Sequence, residues 1–294
     1  MGLPDDWPVQ IEESASHEDG GRFTIRLHVS TGVLSAEQLG VLRDVARQYG
    51  QGYVHLTARQ GIELPGVSLR DLSAVQASLA HAGLSTGSAG SRVRNVVACT
   101  GGDKCQHAFL DGPALGHSLD MLLGGEDLPT QVKVAVASCP NSCTAPQMAD
   151  IGFVGTVEPV LDRALCNGCG ACTAACDERA LTMRRGLPRR DPQRCHYCGA
   201  CVVSCPTRAL RAGRVGYMVY VGGRVGRRPQ MGHVLARFVP EDEAPDLAGR
   251  ILGFLRDYGE PRERLYPLIR RVGLDLLRAR VHSRPLHRTP IREA

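Results

Sequence analysis

Phe23 to Val29 is a short β-favouring run, and it predicts a first strand. Ser35 with Gln38 three residues on forms a capping box, followed by Leu39, Leu42, Val45 and Tyr49 at helical spacing and closed by Gly50. From Tyr53 to Arg59 the period becomes two, so Val54, Leu56 and Ala58 are expected on a core face and His55, Thr57 and Arg59 on a face open to chemistry. Ser68 is read as the cap of a second helix with Leu69, Leu72, Val75 and Leu79 inward, ending near Gly83. This pattern predicts a compact α+β lobe before a Gly/Ser-rich joint, Ser85 to Ser91. Beyond it, Val132 to Ala137, Ile151 to Val157 and Val215 to Val221 read as strands. Two helices follow, one with Leu247, Ile251 and Leu255 up to Gly259, the other with Leu265, Ile269, Val272 and Leu276; the Arg/His-rich tail after Leu277 reads as a solvated terminus.

Composition adds bounds. The chain has 294 residues, 43% hydrophobic and 22% charged, which allows two domains or one with an insertion. No uncharged apolar run approaches the roughly 18–20 residues that span a bilayer. The N-terminus is polar and acidic, without the basic start of a secretory signal, so a cytoplasmic location is expected. There, twelve cysteines point to metal ligation over disulfides. A formal charge of +5 is too mild to imply nucleic acid and is read as cations serving an anionic ligand. No G-x-G-x-x-G lies between a strand and a helix, so no flavin or nicotinamide site is expected in this chain.

Eight cysteines crowd into about fifty residues. Cys166, Cys169, Cys172 and Cys176 have the spacing C-x2-C-x2-C-x3-C, and Cys195, Cys198, Cys201 and Cys205 repeat it before Pro206. This is the bacterial two-cluster ferredoxin pattern, in which the fourth cysteine of each run ligates the other cluster. Cys166, Cys169, Cys172 and Cys205 are therefore assigned to one [4Fe-4S] cluster, and Cys195, Cys198, Cys201 and Cys176 to a second. Zinc usually takes two separated C-x2-C pairs, which these runs are not. Two such clusters make an electron relay.

The remaining four are Cys99 and Cys105, spaced C-x5-C, and Cys139 and Cys143, spaced C-x3-C. Spacing alone leaves a third cluster or a structural zinc open. The context narrows the choice: Ser138-Cys-Pro-Asn-Ser-Cys143, then Asp150-Ile-Gly-Phe153. This segment resembles the signature of the sulfite and nitrite reductases that bind sirohaem beside a [4Fe-4S] cluster. The resemblance extends to His55-Leu-Thr-Ala-Arg-Gln60, to Arg94-Asn-Val-Val-Ala-Cys99 and to Gly222-Gly-Arg-Val-Gly-Arg-Arg-Pro229. Within the family, a single-repeat chain with an inserted ferredoxin module looks most like the catalytic C subunits of anaerobic, NADH-dependent sulfite reductases. A cobalamin-pathway monooxygenase, precorrin-3B synthase, shares the core signature, without an expected ferredoxin pair.

The resemblance implies an α+β fold with boundaries at 1–90 (ferredoxin-like half domain), 91–160 (first part of the sirohaem domain), 161–213 (inserted two-cluster ferredoxin domain) and 214–294 (second part). It implies sirohaem and three [4Fe-4S] clusters, the one held by Cys99, Cys105, Cys139 and Cys143 coupled to the haem through Cys143. His55, Thr57, Arg59, Gln60 and Asn141 are the implied cofactor-binding residues, since a haem with eight carboxylates needs cations and amide donors. Arg94 and Lys133 are the implied grip on an oxyanion. Two departures stand out: His28 takes the place of a second anion-binding arginine, and Gln131 that of a second lysine. They put substrate identity in question, though His28 is available as a proton donor near pH 7. The implied reaction is six-electron reduction of sulfite to sulfide. Nitrite reduction, or electron transfer beside a vestigial haem site, are the alternatives. Implied partners are an electron donor, with any NADH chemistry falling to another subunit, and a second copy or related chain, because the family's larger members carry two copies of this lobe pair. No nucleic-acid or membrane partner is expected.

Overall fold

Residues 15–18, 21–87 and 90–282 are described by the structure, a computed structural model. In the first lobe, β1 (Ala15–Glu18), β2 (Arg22–His28), β3 (His55–Leu56), β4 (Ile62–Ser68) and β5 (Ser85–Thr86) form one antiparallel sheet, ordered β1-β2-β4-β3 with β5 also pairing to β2. Strand alternation sends Phe23, Ile25 and Leu27 inward. Helices α1 (Ala36–Tyr49) and α2 (Leu72–His81) pack there, closing a core of Leu42, Val45, Leu64, Val75 and Leu79. The capping box at Ser35 and Gln38 is present, with both reciprocal hydrogen bonds. Ser68, by contrast, makes no side-chain cap; a 3-10 turn intervenes and α2 starts after Asp71, leaving Leu69 exposed.

The period-two reading of Tyr53 to Arg59 needs correction. Only His55 and Leu56 pair in the sheet, Leu56 is 71% exposed, and Ala58 is exposed as well. The Thr57 hydroxyl accepts from the backbone N–H of Gly61 (3.0 Å) and Arg59 (3.4 Å), and Gln60 adopts φ 56°. A local side-chain bond thus turns the chain where a continuing ladder was expected, and the turn swings Arg59 toward the second lobe.

The second lobe is a mixed sheet, ordered β12-β11-β8-β7-β6. Its β6 (Val97–Ala98), β7 (Val134–Ala137) and β8 (Ile151–Leu161) run parallel, with α3 (Gly112–Leu123) crossing between β6 and β7. The cysteine-rich segment holds α4 (Ala171–Ala174), a hairpin of β9 (Leu181–Arg184) and β10 (Leu187–Arg190), and α5 (Ala200–Val203). Next, β11 (Leu210–Val221) runs antiparallel to β8 and to β12 (His233–Val239). Leu210 faces Leu161 across the β8–β11 ladder, so the intervening segment leaves and re-enters the lobe at one point. Helices α6 (Ala244–Tyr258), α7 (Leu265–Val272) and α8 (Leu274–His282) complete the core around Phe153, Tyr217, Ile251 and Leu268. The single helix expected from Leu265 onward is broken at Gly273, whose φ of 93° no helix admits. The strand expected at Val215 starts earlier, at Leu210, and carries a bulge between Ala212 and Val215. The acidic N-terminus and the tail beyond His282 lie outside the described residues. Among the described residues no helix is long and apolar enough to cross a membrane.

Candidate active site

The cationic residues meet where the lobes join. Thr57, Ala58 and Arg59 from the turn, Arg26, Leu27, Ile62 and Glu63 from the first sheet, and Arg94, Asn95, Gln131 and Lys133 from the second lobe line a cleft of about 320 Å³. Arg59 anchors the joint: its Nη2 donates to the carbonyls of Asn95 (2.9 Å) and Val134 (3.0 Å), while its buried Nε has no partner. Burial lowers the Arg59 pKa to about 10, aided by Arg94 and Arg264 and opposed by Asp150, so the group remains charged at neutral pH. Burial likewise lowers Arg94 and, with Arg264, Arg59 and Arg94 as neighbours, Lys133. Four cations around one cleft, with the buried Arg59 Nε–H left without a partner and Glu63 the one acid in its lining, suit an anionic group.

Asp150 secures this arrangement from behind. It is buried, accepts the Lys133 N–H (2.9 Å) and takes a bidentate pair from Arg264 (3.1 and 2.7 Å). The rest of its motif is steric. A Cβ on Gly152 would sit 2.0 Å from the Pro146 carbonyl oxygen, and one on Gly155 would sit 2.2 Å from that of Ser138, so only glycine lets the cysteine loop lie on β8. Arg264 also borders a second cleft with Arg224, Arg227 and Arg228, the arginines of the Gly222–Pro229 segment.

Other expected residues serve differently. Gln60 donates to the Ala98 carbonyl (2.8 Å) and accepts its N–H (3.0 Å), a peptide-like clamp one residue before Cys99. It is a positioning residue. His55 does not line the cleft; its Nδ1 pairs with Glu63 (3.0 Å). Asn141 is exposed in the turn between Cys139 and Cys143. His28 does not line the cleft either: its Nε2 meets Asp120 at 2.7 Å, and the carboxylate raises its pKa. The strand's cation in the cleft is Arg26, which carries no motif of its own but stands two residues from His28 on the same polar face of β2. Gln131 does line the cleft.

All twelve cysteines are free. Cys99 follows β6, and Cys139 and Cys143 follow β7. The Cys99 sulfur accepts the Ser138 N–H (3.2 Å), and burial together with Cys105, Cys99 and Cys143 raises the Cys139 thiol. The other eight divide between two small cavities. Cys166, Cys169, Cys172 and Cys205 line one, and Cys176, Cys195, Cys198 and Cys201 line the other. Burial and the neighbouring Cys198, Cys195, Cys172 and Cys176 push the Cys201 thiol up to about 12. Thiols gathered in this way lose their protons on taking up a cationic centre, which is the chemistry of a metal site. Among the described residues no three ligand-type side chains converge as a single ion would require. Eight of the cysteines line the two small cavities instead.

Cleft and thiols together define a redox protein for an anion, and comparison with known proteins agrees. The chain matches the nitrite/sulfite reductase ferredoxin-like half domain over residues 16–82 and the nitrite and sulphite reductase 4Fe-4S domain over residues 89–288. It belongs to this family of oxidoreductases, and membership implies sirohaem and a [4Fe-4S] cluster. The chain is similar to the coenzyme F420-dependent sulfite reductase of Methanocaldococcus jannaschii, 36% identical over 270 residues, covering 91% of this chain and 43% of that one. It is similar also to the C subunit of the anaerobic sulfite reductase of Salmonella typhimurium, 33% identical over 241 residues, covering 76% of this chain and 71% of that one. In fold it resembles the crystal structure of dissimilatory sulfite reductase I, with a TM-score of 0.73 at 24% identity over 92% of this chain and 73% of the other.

Proposed function

We propose that this chain reduces sulfite to sulfide at sirohaem, in six one-electron steps fed through two ferredoxin-type [4Fe-4S] clusters in an inserted domain, residues 161–213. The supporting observation is the cleft of Arg26, Arg59, Arg94 and Lys133 with its partnerless Arg59 Nε, in a chain similar to two named sulfite reductases. Arg59, Thr57 and the Gly222–Pro229 arginines are the groups to hold the haem carboxylates. Cys99, Cys105, Cys139 and Cys143 would hold the adjoining cluster, with Cys143 the thiolate through which it would couple to the haem. When bound, sirohaem and its cluster supply the electrons and the site at which sulfur–oxygen bonds break.

The chain's residues do the rest. Arg94 and Lys133 hold the dianion and offset the charge that grows on departing oxygens. Lys133 Nζ, with its pKa lowered by burial, releases a proton more readily than a solvated lysine, so it is suited to pass protons, resupplied one at a time from solvent, to the oxygens that leave as water. Arg59 stays protonated and binds.

Lys133 precedes β7 and Cys139 follows it; Arg94 precedes β6 and Cys99 follows it. At strand rise the cations and thiols of one chain therefore stand roughly 16–20 Å apart, at opposite ends of the same strands. This supports a second copy or related chain whose cysteines face this chain's cleft. Nitrite, another small oxyanion, suits the same cations, and Gln131 in the cleft keeps that reading open. Anaerobic purification with iron, sulfide and sirohaem quantitation, joined to sedimentation, tests the proposal. Sirohaem in a dimer or larger assembly is expected; a haem-free protein, or a monomer with full activity, overturns it.

A further inference from the structure

Residues 162–214 hold ten arginines and no lysine against four acidic residues, an excess of six positive charges. The formal +5 of the whole chain therefore resides in the cysteine-rich segment, and the expectation that this charge reflects the oxyanion site is corrected. Arg190, Arg211 and Arg214 are engaged by Glu158 and Asp162. Arg184, Arg185 and Arg189, on the β9–β10 hairpin, are exposed and have no carboxylate partner among the described residues.

The hairpin is a rigid mount. Arg185 and Gly186 both have positive φ, 50° and 76°, the two-residue turn that suits strand twist. Cross-strand neighbours Met183 and Pro188 line the cavity of Cys166, Cys169, Cys172 and Cys205, while Arg184 and Arg189 take the opposite face. The turn also leans on the first cysteine loop, where a Cβ on Gly168 would lie 3.0 Å from the Gly186 carbonyl. Cys169, one residue on, is exposed.

The second cavity faces the other way. A Cβ on Gly199, which lies among Cys195, Cys198 and Cys201, would meet Val157 at 2.5 Å and Phe109 at 2.6 Å. Val157 N–H donates to the Tyr197 carbonyl (3.0 Å), and Phe109 N–H to the Ser138 carbonyl (3.1 Å), next to Cys139. The order in space is thus arginine hairpin, Cys166 cavity, Cys195 cavity, then the host cysteines.

Resting on the relay proposed above, the geometry points to the Arg184–Arg185–Arg189 hairpin as the docking surface for an acidic one-electron carrier protein, which makes the Cys166, Cys169, Cys172 and Cys205 site the entry. Each encounter oxidises the carrier by one electron and reduces that site by one, with no bond made or broken. Arginine forks pair bidentately with carboxylates, and such complementarity raises association rates about 10- to 1000-fold, with steep salt dependence.

The test is the full-length holoprotein carrying Arg184→Glu, Arg185→Asp and Arg189→Glu, aspartate being chosen at the left-handed position it tolerates. Binding of an acidic flavodoxin is followed at rising salt. Wild type is expected to bind with strong salt dependence, and the triple variant to lose at least about tenfold in affinity. Electron paramagnetic resonance of the dithionite-reduced variant and sulfite turnover with reduced methyl viologen, a cation, stay unchanged. Unaltered flavodoxin binding in the variant overturns the docking surface, as does loss of viologen turnover in step with binding, or tighter charge-dependent binding of anionic vesicles or RNA than of flavodoxin. Absence of signals from the eight cysteines' clusters would instead strike the relay itself.

Discussion

The two cysteine regions are built on opposite principles. In the segment 162–209, eight thiols come from two contiguous runs with short helices and a hairpin, and each cavity takes three from one run and the fourth from the other. In the host lobe, Cys99, Cys105, Cys139 and Cys143 come from loops after two parallel strands, and their meeting depends on contacts far apart in sequence: Gln60 on Ala98, Gly155 against Ser138, Asp150 with Arg264. The relay proposed above would pass electrons at fixed spacing, which a local scaffold favours. A site that joins anion and haem must draw cations from both lobes, which only long-range packing achieves.

The sharpest break between the regions is expected from paired serine substitutions. With reduced methyl viologen as donor, Cys143→Ser is expected to lower sulfite turnover by more than about a hundredfold, whereas Cys198→Ser changes it little and abolishes turnover from a protein donor. Equal losses from both donors in the two variants would erase the distinction. Next in size is Asp150→Asn, which leaves Arg264 half-unpaired beneath the cleft; a loss of about 3 kcal/mol in urea unfolding is expected, with the segment's cluster signals retained. Gln60→Ala removes two hydrogen bonds to Ala98 and is expected to cost about 1–2 kcal/mol, with the host cluster's spectrum perturbed and the segment's unchanged.

The smallest effect is in pH. Asp120 raises the His28 pKa above its unfolded value, so the pair's stabilisation is full below about pH 6.5 and fades as pH rises through the folded value. On the acid side Asp120 is itself lowered by His28, and its share is lost as pH falls through that lowered value. The melting-temperature gap between wild type and His28→Asn should therefore narrow from pH 6 to pH 9. A gap constant over that range would show that His28 is held as the neutral ring.

What is legible in the sequence follows the same division. The capping box at Ser35 and the inner strands β7 and β8 are local patterns, and they read directly, whereas β6 and β12 carry no such signal and β11 starts five residues before the run expected for it. The turn at Thr57 to Gln60 does not, because a hydroxyl bond to Gly61 outweighs an alternation that runs on past it. Alternation marks Arg59 for the cleft through a polar strand face that does not form, and the residue reaches the cleft through that turn instead. Arg26 is available from the alternation of β2 and is eclipsed by His28. Arg264, paired with Asp150 across 114 residues, carries no local signal at all.

The central claim, that the cationic cleft and the host cysteines serve sulfite, is tested most directly by product stoichiometry. Anaerobic holoprotein with reduced methyl viologen should yield one sulfide for every six viologens oxidised, with an Arg94→Ala, Lys133→Ala variant that keeps its haem band losing that turnover. Nitrite reduced in preference while sulfite stays inert, or full sulfide yield from the double variant, would contradict it.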